Sequence, residues 1–166
     1  MAPINLQGRG ADERGAALVE FALALPLLLV VIAGIVDFGF AFQRYEVITN
    51  AAREGARVAV LPGYDAVAAE ARVRQYIGQG LSMNTTAVNA AVAPTGGVTV
   101  QYIDVTVPLQ AGGTATIPTV QVNVIYNHSY LLLGPIMGLI NKNWGSNITL
   151  RASSQMRLEV VAGGGS

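Results

Sequence analysis

Residues Ala16–Val36, AALVEFALALPLLLVVIAGIV, decide how this chain is read, because all are apolar except Glu20. At about 1.5 Å of helical rise per residue, Phe21–Val36 gives roughly 24 Å, short of the roughly 30 Å hydrocarbon slab of a bilayer. Crossing a membrane therefore brings either Glu20 or Asp37 into the slab. A carboxylate at the bilayer centre costs on the order of 2.5 kcal/mol or more, and less toward the interface. Two readings of Glu20 follow: its side chain reaches the headgroups, or it has a partner inside the membrane.

The rest of the composition narrows the class. A chain of 166 residues has room for one modest domain beside a membrane helix. Ten basic and ten acidic residues cancel, and no basic stripe interleaved with aromatics appears, which argues against nucleic acid as a partner. The chain has no cysteine, so disulfides and thiolate chemistry are excluded and cysteine usage is silent about the redox compartment. The leader MAPINLQGRGADERG is polar, with Arg9 and Arg14 offset by Asp12 and Glu13, and the apolar stretch exceeds the 7–15 residues or so of a signal-peptide core. These features predict a retained anchor.

Beyond the anchor the helix is expected to continue. Ala41, Tyr45, Ile48, Ala52, Gly55 and Ala59 recur at spacings of three and four, with Gln43, Arg44, Glu46, Asn50, Arg53, Glu54 and Arg57 as the polar complement. This narrow face of small residues suits close packing, most simply over the domain's own core. Pro62-Gly63 ends it. A second helix is predicted over Asp65–Gln79, capped by Asp65 and braced by Glu70 and Arg74. Ser82–Gly97 reads as a polar, alanine-rich connector.

Three strands follow. Val98–Val107 is β-branched but changes phase near Tyr102-Ile103, which predicts a bulge or burial on both faces. Val120, Val122, Val124, Tyr126, His128 and Tyr130 alternate with polar residues and Ile125. In the last strand Ile148, Leu150, Ala152, Met156, Leu158 and Val160 face one way, and Thr149, Arg151, Ser153, Gln155, Arg157 and Glu159 the other. The fold class is thus α+β: one N-terminal transmembrane helix, extended into a long helix packed on a small antiparallel sheet. The apolar segment Leu131–Ile140 is too short and too interrupted by Gly134, Pro135 and Gly138 to span a bilayer. A loop packed on the core is the favoured reading, and an exposed patch meeting a partner or the membrane surface the other.

Chemistry-bearing patterns are scarce. His128 is the sole histidine, lies on the apolar face of its strand and has no acidic neighbour in sequence, so a hydrogen-bonded core or rim histidine is expected in place of a metal ligand or triad member. Gly96-Gly97 and Gly112-Gly113 lack the context of phosphate-binding loops. Asn84-Thr-Thr86, Asn127-His-Ser129 and Asn147-Ile-Thr149 match the short glycosylation sequon. No catalytic residue, metal site or cofactor is expected.

The junction before the anchor carries a resemblance. Gly15 followed by Ala16-Ala-Leu-Val-Glu20-Phe21 is similar to the prepilin processing motif of tight-adherence (Flp-type) pili. With Asp37-Phe-Gly39 and Ala51-Ala-Arg-Glu-Gly-Ala-Arg57, the first sixty or so residues resemble the TadE-like pseudopilin family, and Ala152-Ser-Ser-Gln-Met-Arg157 resembles its closing strand more weakly. The resemblance implies cleavage after Gly15 by an aspartic prepilin peptidase, with Gly15, Ala16, Glu20 and Phe21 as the processing site and Glu20 as the assembly residue. It implies a minor pilus subunit of the bacterial inner membrane, N-terminus cytoplasmic and head outside, meeting the assembly platform and other pilin or pseudopilin subunits. The expected divisions are a leader 1–15, a transmembrane helix 16–42, a head 43–162 and a flexible Gly/Ser tail 163–166. The arginines oppose this orientation, since Arg44, Arg53 and Arg57 follow the span and only Arg9 and Arg14 precede it. The alternative is an uncleaved membrane-anchored binding or sensor domain.

Overall fold

The computed structural model describes residues 9–93, 96–110, 112–140 and 147–158, with the backbone alone for residues 9–14 and 139–140. Most of the leader, loop residues 94–95, Glu159, Val160 and the tail therefore lie outside the described residues. Helix α1 runs Arg9–Ala59, 51 residues, or about 75 Å at the standard rise, unbroken through Pro26. Its first half stands clear of the remaining chain: every residue from Gly15 to Ile32 is exposed. Its second half is the spine of the head, where Ala41, Ile48, Ala51, Ala52, Ala56 and Ala59 are buried. Tyr45, placed by its spacing on the packing face, remains 46 % exposed. The seam instead widens onto Ala51, Ala56 and Val58, because helix and sheet meet α1 from two sides.

Helix α2, Ala66–Gly80, begins where the Asp65 carboxylate accepts from the Ala68 amide, and buries Ala69, Val73 and Ile77. It lies against α1 so closely that a Cβ on Gly55 would collide with the Val73 side chain. The polar rim of this contact is ionic: Glu54 accepts from Arg57 at 2.8 and 2.9 Å and from Arg72 at 3.0 Å. The Ser82–Gly97 connector holds a further helix, α3, Thr85–Ala91, which its reading as a connector did not include. Asn84 caps it by accepting from the Ala87 amide, a use of Asn84 that the sequon pattern obscured. Arg74 pairs with Glu70 as expected and also donates to Asn89 Oδ1 and to the Val92 and Ala93 carbonyls, tying α3 to α2.

The three strands, β1 (Val98–Pro108), β2 (Thr114–Ser129) and β3 (Asn147–Arg157), form one antiparallel sheet in the order β1-β2-β3. Val98, Val120, Val122, Val124, Tyr126 and Ala152 join the buried residues of α1 and α2 in a single core. The opposite face carries a polar ladder, in which Asn123 donates to Thr99, Gln121 to Ser153 and Thr149 to Asn127. The β3 period holds from Leu150 on: Leu150, Ala152, Met156 and, just beyond the strand, Leu158 are at least partly buried, and Thr149, Arg151, Ser153, Gln155 and Arg157 are exposed, whereas Ile148, placed on the apolar face by its spacing, is exposed near the start of the strand.

The phase change in β1 is not a bulge. Pairing with β2 is continuous from Val98↔Val124 to Pro108↔Thr114. Apolar residues move to the other face on both strands at the same rung: β1 passes from Val98 and Val100 to Ile103, Val105 and Val107, whose partners are Thr119, Ile117 and Ala115. At this rung β1 meets the last residue of α1, where the Tyr102 hydroxyl donates to the Ala59 carbonyl at 3.4 Å, so further out α1 no longer dictates which face is apolar. Its turn uses Gly112 and Gly113 at φ +85° and +92°, a region that suits glycine.

Candidate processing and assembly site

The apolar stretch of α1 has one carboxylate near each end, and the fold treats them differently. At the N-terminal end, Gly15, Ala16, Glu20 and Phe21 are all exposed, and a Cβ on Gly15 would meet nothing within 4 Å. The Gly15–Ala16 bond lies within α1 and Glu20 sits one helical turn beyond it. Four residues of rise place Ala16 and Glu20 about 6 Å apart along the axis. The head shields none of these four residues, so all remain open to an external enzyme or subunit.

At the other end Asp37 is fully buried. Its Oδ1 accepts from the amides of Leu131 at 2.9 Å and Leu132 at 3.2 Å, and its Oδ2 from those of Leu132 at 3.1 Å and Leu133 at 2.6 Å. These amides open a short helix, α4, Leu133–Ile140, which corrects the reading of 131–140 as a core-packed loop; its described side chains lie outside the core cluster. A helix leaves its first amides unsatisfied, and Tyr130, Leu131 and Leu132 offer no carboxylate or amide side chain to cap them. Asp37 supplies the cap from 94–96 residues away. Favourable charge at a helix N-terminus and several N–H donors together offset the burial of the carboxylate.

His128 lies beside this cap. It is 2 % exposed, faces the core side of β2 and stacks edge-on to Tyr130 at 5.8 Å. Its Nε2 has no hydrogen-bond partner among the described residues, which corrects the expectation of a fully satisfied histidine. Burial pushes its pKa down, the nearby Arg44 adds to that, and Asp37 opposes it. Sequence distance concealed this acidic neighbour. The signal that would have found it was an apolar helix without a local cap, set against a buried-level Asp in the long helix.

The stretches that carry the resemblance acquire physical roles from this geometry. In Ala51-Ala-Arg-Glu-Gly-Ala-Arg57, the alanines enter the core, Gly55 admits Val73, and Glu54 joins Arg57 to Arg72. In Asp37-Phe-Gly39, Asp37 caps α4. Residues 15–57 match the family model described as TadE-like protein, the family that the N-terminal residues resemble. The match covers both the exposed junction and the packing seam of α1. No curated protein and no solved structure matches the chain.

Proposed function

We propose that the chain is a minor pseudopilin of a tight-adherence (Flp-type) pilus, a non-catalytic subunit cleaved after Gly15. The observation that carries this reading is the contrast along α1. The half that matches the processing motif is apolar and uncovered, and the half that matches the downstream motif is a packed seam. In this reading residues 1–15 are the cytoplasmic leader, 16–42 cross the bacterial inner membrane, and 43–162 form the extracytoplasmic head. Cleavage frees a cationic amine at Ala16, one turn from Glu20. In the low dielectric of the membrane that amine, or its equivalent on a neighbouring subunit, pairs with the carboxylate and makes an unpaired register costly. The prepilin peptidase, the assembly platform and the other pilin subunits are the partners.

Deletion of the gene in its host, followed by electron microscopy and complementation, tests the role. Loss of pili, restored by the wild-type chain, is the expected result. Normal piliation in the deletion strain would contradict it.

A further inference from the structure

The geometry points to a second membrane contact in this chain, an apolar foot formed by Leu131, Leu132 and α4 that lies in the outer interface of the same bilayer that α1 crosses. The inference rests on the spanning reading of α1 and extends it to a part of the head that neither the family match nor the processing motif includes.

Position carries the argument first. Between Glu20 and Asp37 α1 has no charged residue, and 17 residues of helix rise about 25 Å, so Asp37 stands at the outer edge of a slab that begins near Ala16. The four hydrogen bonds from the Leu131, Leu132 and Leu133 amides fix the start of α4 at that edge. From there α4 packs against α1, and Ala33, one turn to the membrane side of Asp37, is 5 % exposed although every residue from Gly15 to Ile32 is open. The segment therefore descends beside α1 into the apolar level and does not rise into the head.

Chemistry agrees with position. Residues Leu131–Ile140 contain no charged or polar side chain, and none of the described ones belongs to the head's core. Leu131 is 61 % and Leu132 40 % exposed, and the amides of both are bonded to Asp37, next to the exposed Phe38 of α1. An eight-residue helix is about 12 Å long, far too short to span, which leaves the interface as the apolar environment it can occupy. On the head side Arg44 lies over the Phe40 ring at 5.6 Å, placing a guanidinium at headgroup height. Lipid is the occupant because the uncovered face continues that of the spanning helix. Asp37 is the latch that joins the two membrane elements, so the head sits against the bilayer at a fixed rotation about α1.

The absence of cysteine makes the test direct. The full chain carrying a single environment-sensitive fluorophore at Leu132→Cys, Leu27→Cys or Thr106→Cys is reconstituted into phosphatidylcholine/phosphatidylglycerol vesicles, then exposed to lipid-borne nitroxide or aqueous iodide. Nitroxide quenching at Leu132 should be comparable to that at Leu27 and several-fold stronger than at Thr106, with iodide showing the reverse order. Quenching at Leu132 that matches Thr106 while Leu27 is quenched by lipid would overturn the foot and leave the span intact. Protection of Leu132 from both quenchers would assign the face to a second copy of the chain and also overturn it. Failure of lipid quenching at Leu27 would overturn the spanning reading and the foot with it.

Discussion

Single residues set the two ends of the membrane stretch apart. Asp37 satisfies three consecutive amides, so Asp37→Ala leaves partly buried donors without that acceptor, each costing up to about 1–3 kcal/mol where water does not replace it. Hydrogen exchange at Leu131–Leu133 should accelerate by one to several orders of magnitude in this variant, with β2 unchanged; unaltered protection would show that the carboxylate does not hold α4. Among the described residues Glu20 makes no such contact, and its exposed position predicts a different phenotype. Glu20→Gln should insert as well as wild type or better, because a neutral amide is easier to bury than a carboxylate, yet reduce piliation because the amine loses its counter-charge. Membrane fractionation and pilus counts read the two effects separately, and normal piliation would mean that the carboxylate only reaches for the headgroups. Gly55→Val forces a branched side chain into Val73 and should cost about 1–3 kcal/mol, seen as a lower thermal midpoint of the detergent-solubilised chain.

Among the elements, β3 gives the sharpest contrast between neighbours. Leu150→Asp and Leu158→Asp put a charge on the core side of the sheet and should unfold the head, whereas Arg151→Asp on the open face should change stability by about 0.5 kcal/mol or less. Circular-dichroism melts of the three variants decide the matter, and equal destabilisation would mean that both faces are buried. The α1–α2 contact makes a pH prediction. Hydrogen bonds from Arg57, joined by those from Arg72, hold the Glu54 carboxyl at about 2 against an ordinary 4.5. Since the folded value is the lower one, this stabilisation is fully present above 4.5 and is lost as the pH falls through about 2. Glu54→Gln should therefore flatten the acid limb of the urea midpoint over that range, and an unchanged limb would contradict the ion pairs. What the sequence made legible at this scale was governed by local physics. Asp65 announced α2, Glu70 and Arg74 their pairing, and the two-residue period the faces of β3. Non-local physics hid the rest: α4 depends on a cap from Asp37, and the phase change in β1 makes sense only beside the same change in β2.

At the scale of the whole molecule, the chain divides into a half that finds its partners within itself and a half that does not. From Ala41 onward α1 is covered by α2 and the sheet, and from Gly15 to Ile32 it is bare and apolar. A bilayer can cover such a surface, and so can a bundle of like helices, as the proposed function requires. At the start of the bare half lies the exposed Gly15–Ala16 junction, where the proposed cleavage falls. Intact-mass spectrometry of the protein extracted from host membranes with active prepilin peptidase measures it directly. A mature chain that begins at Ala16 is expected, and a chain that keeps its leader under those conditions would contradict cleavage after Gly15.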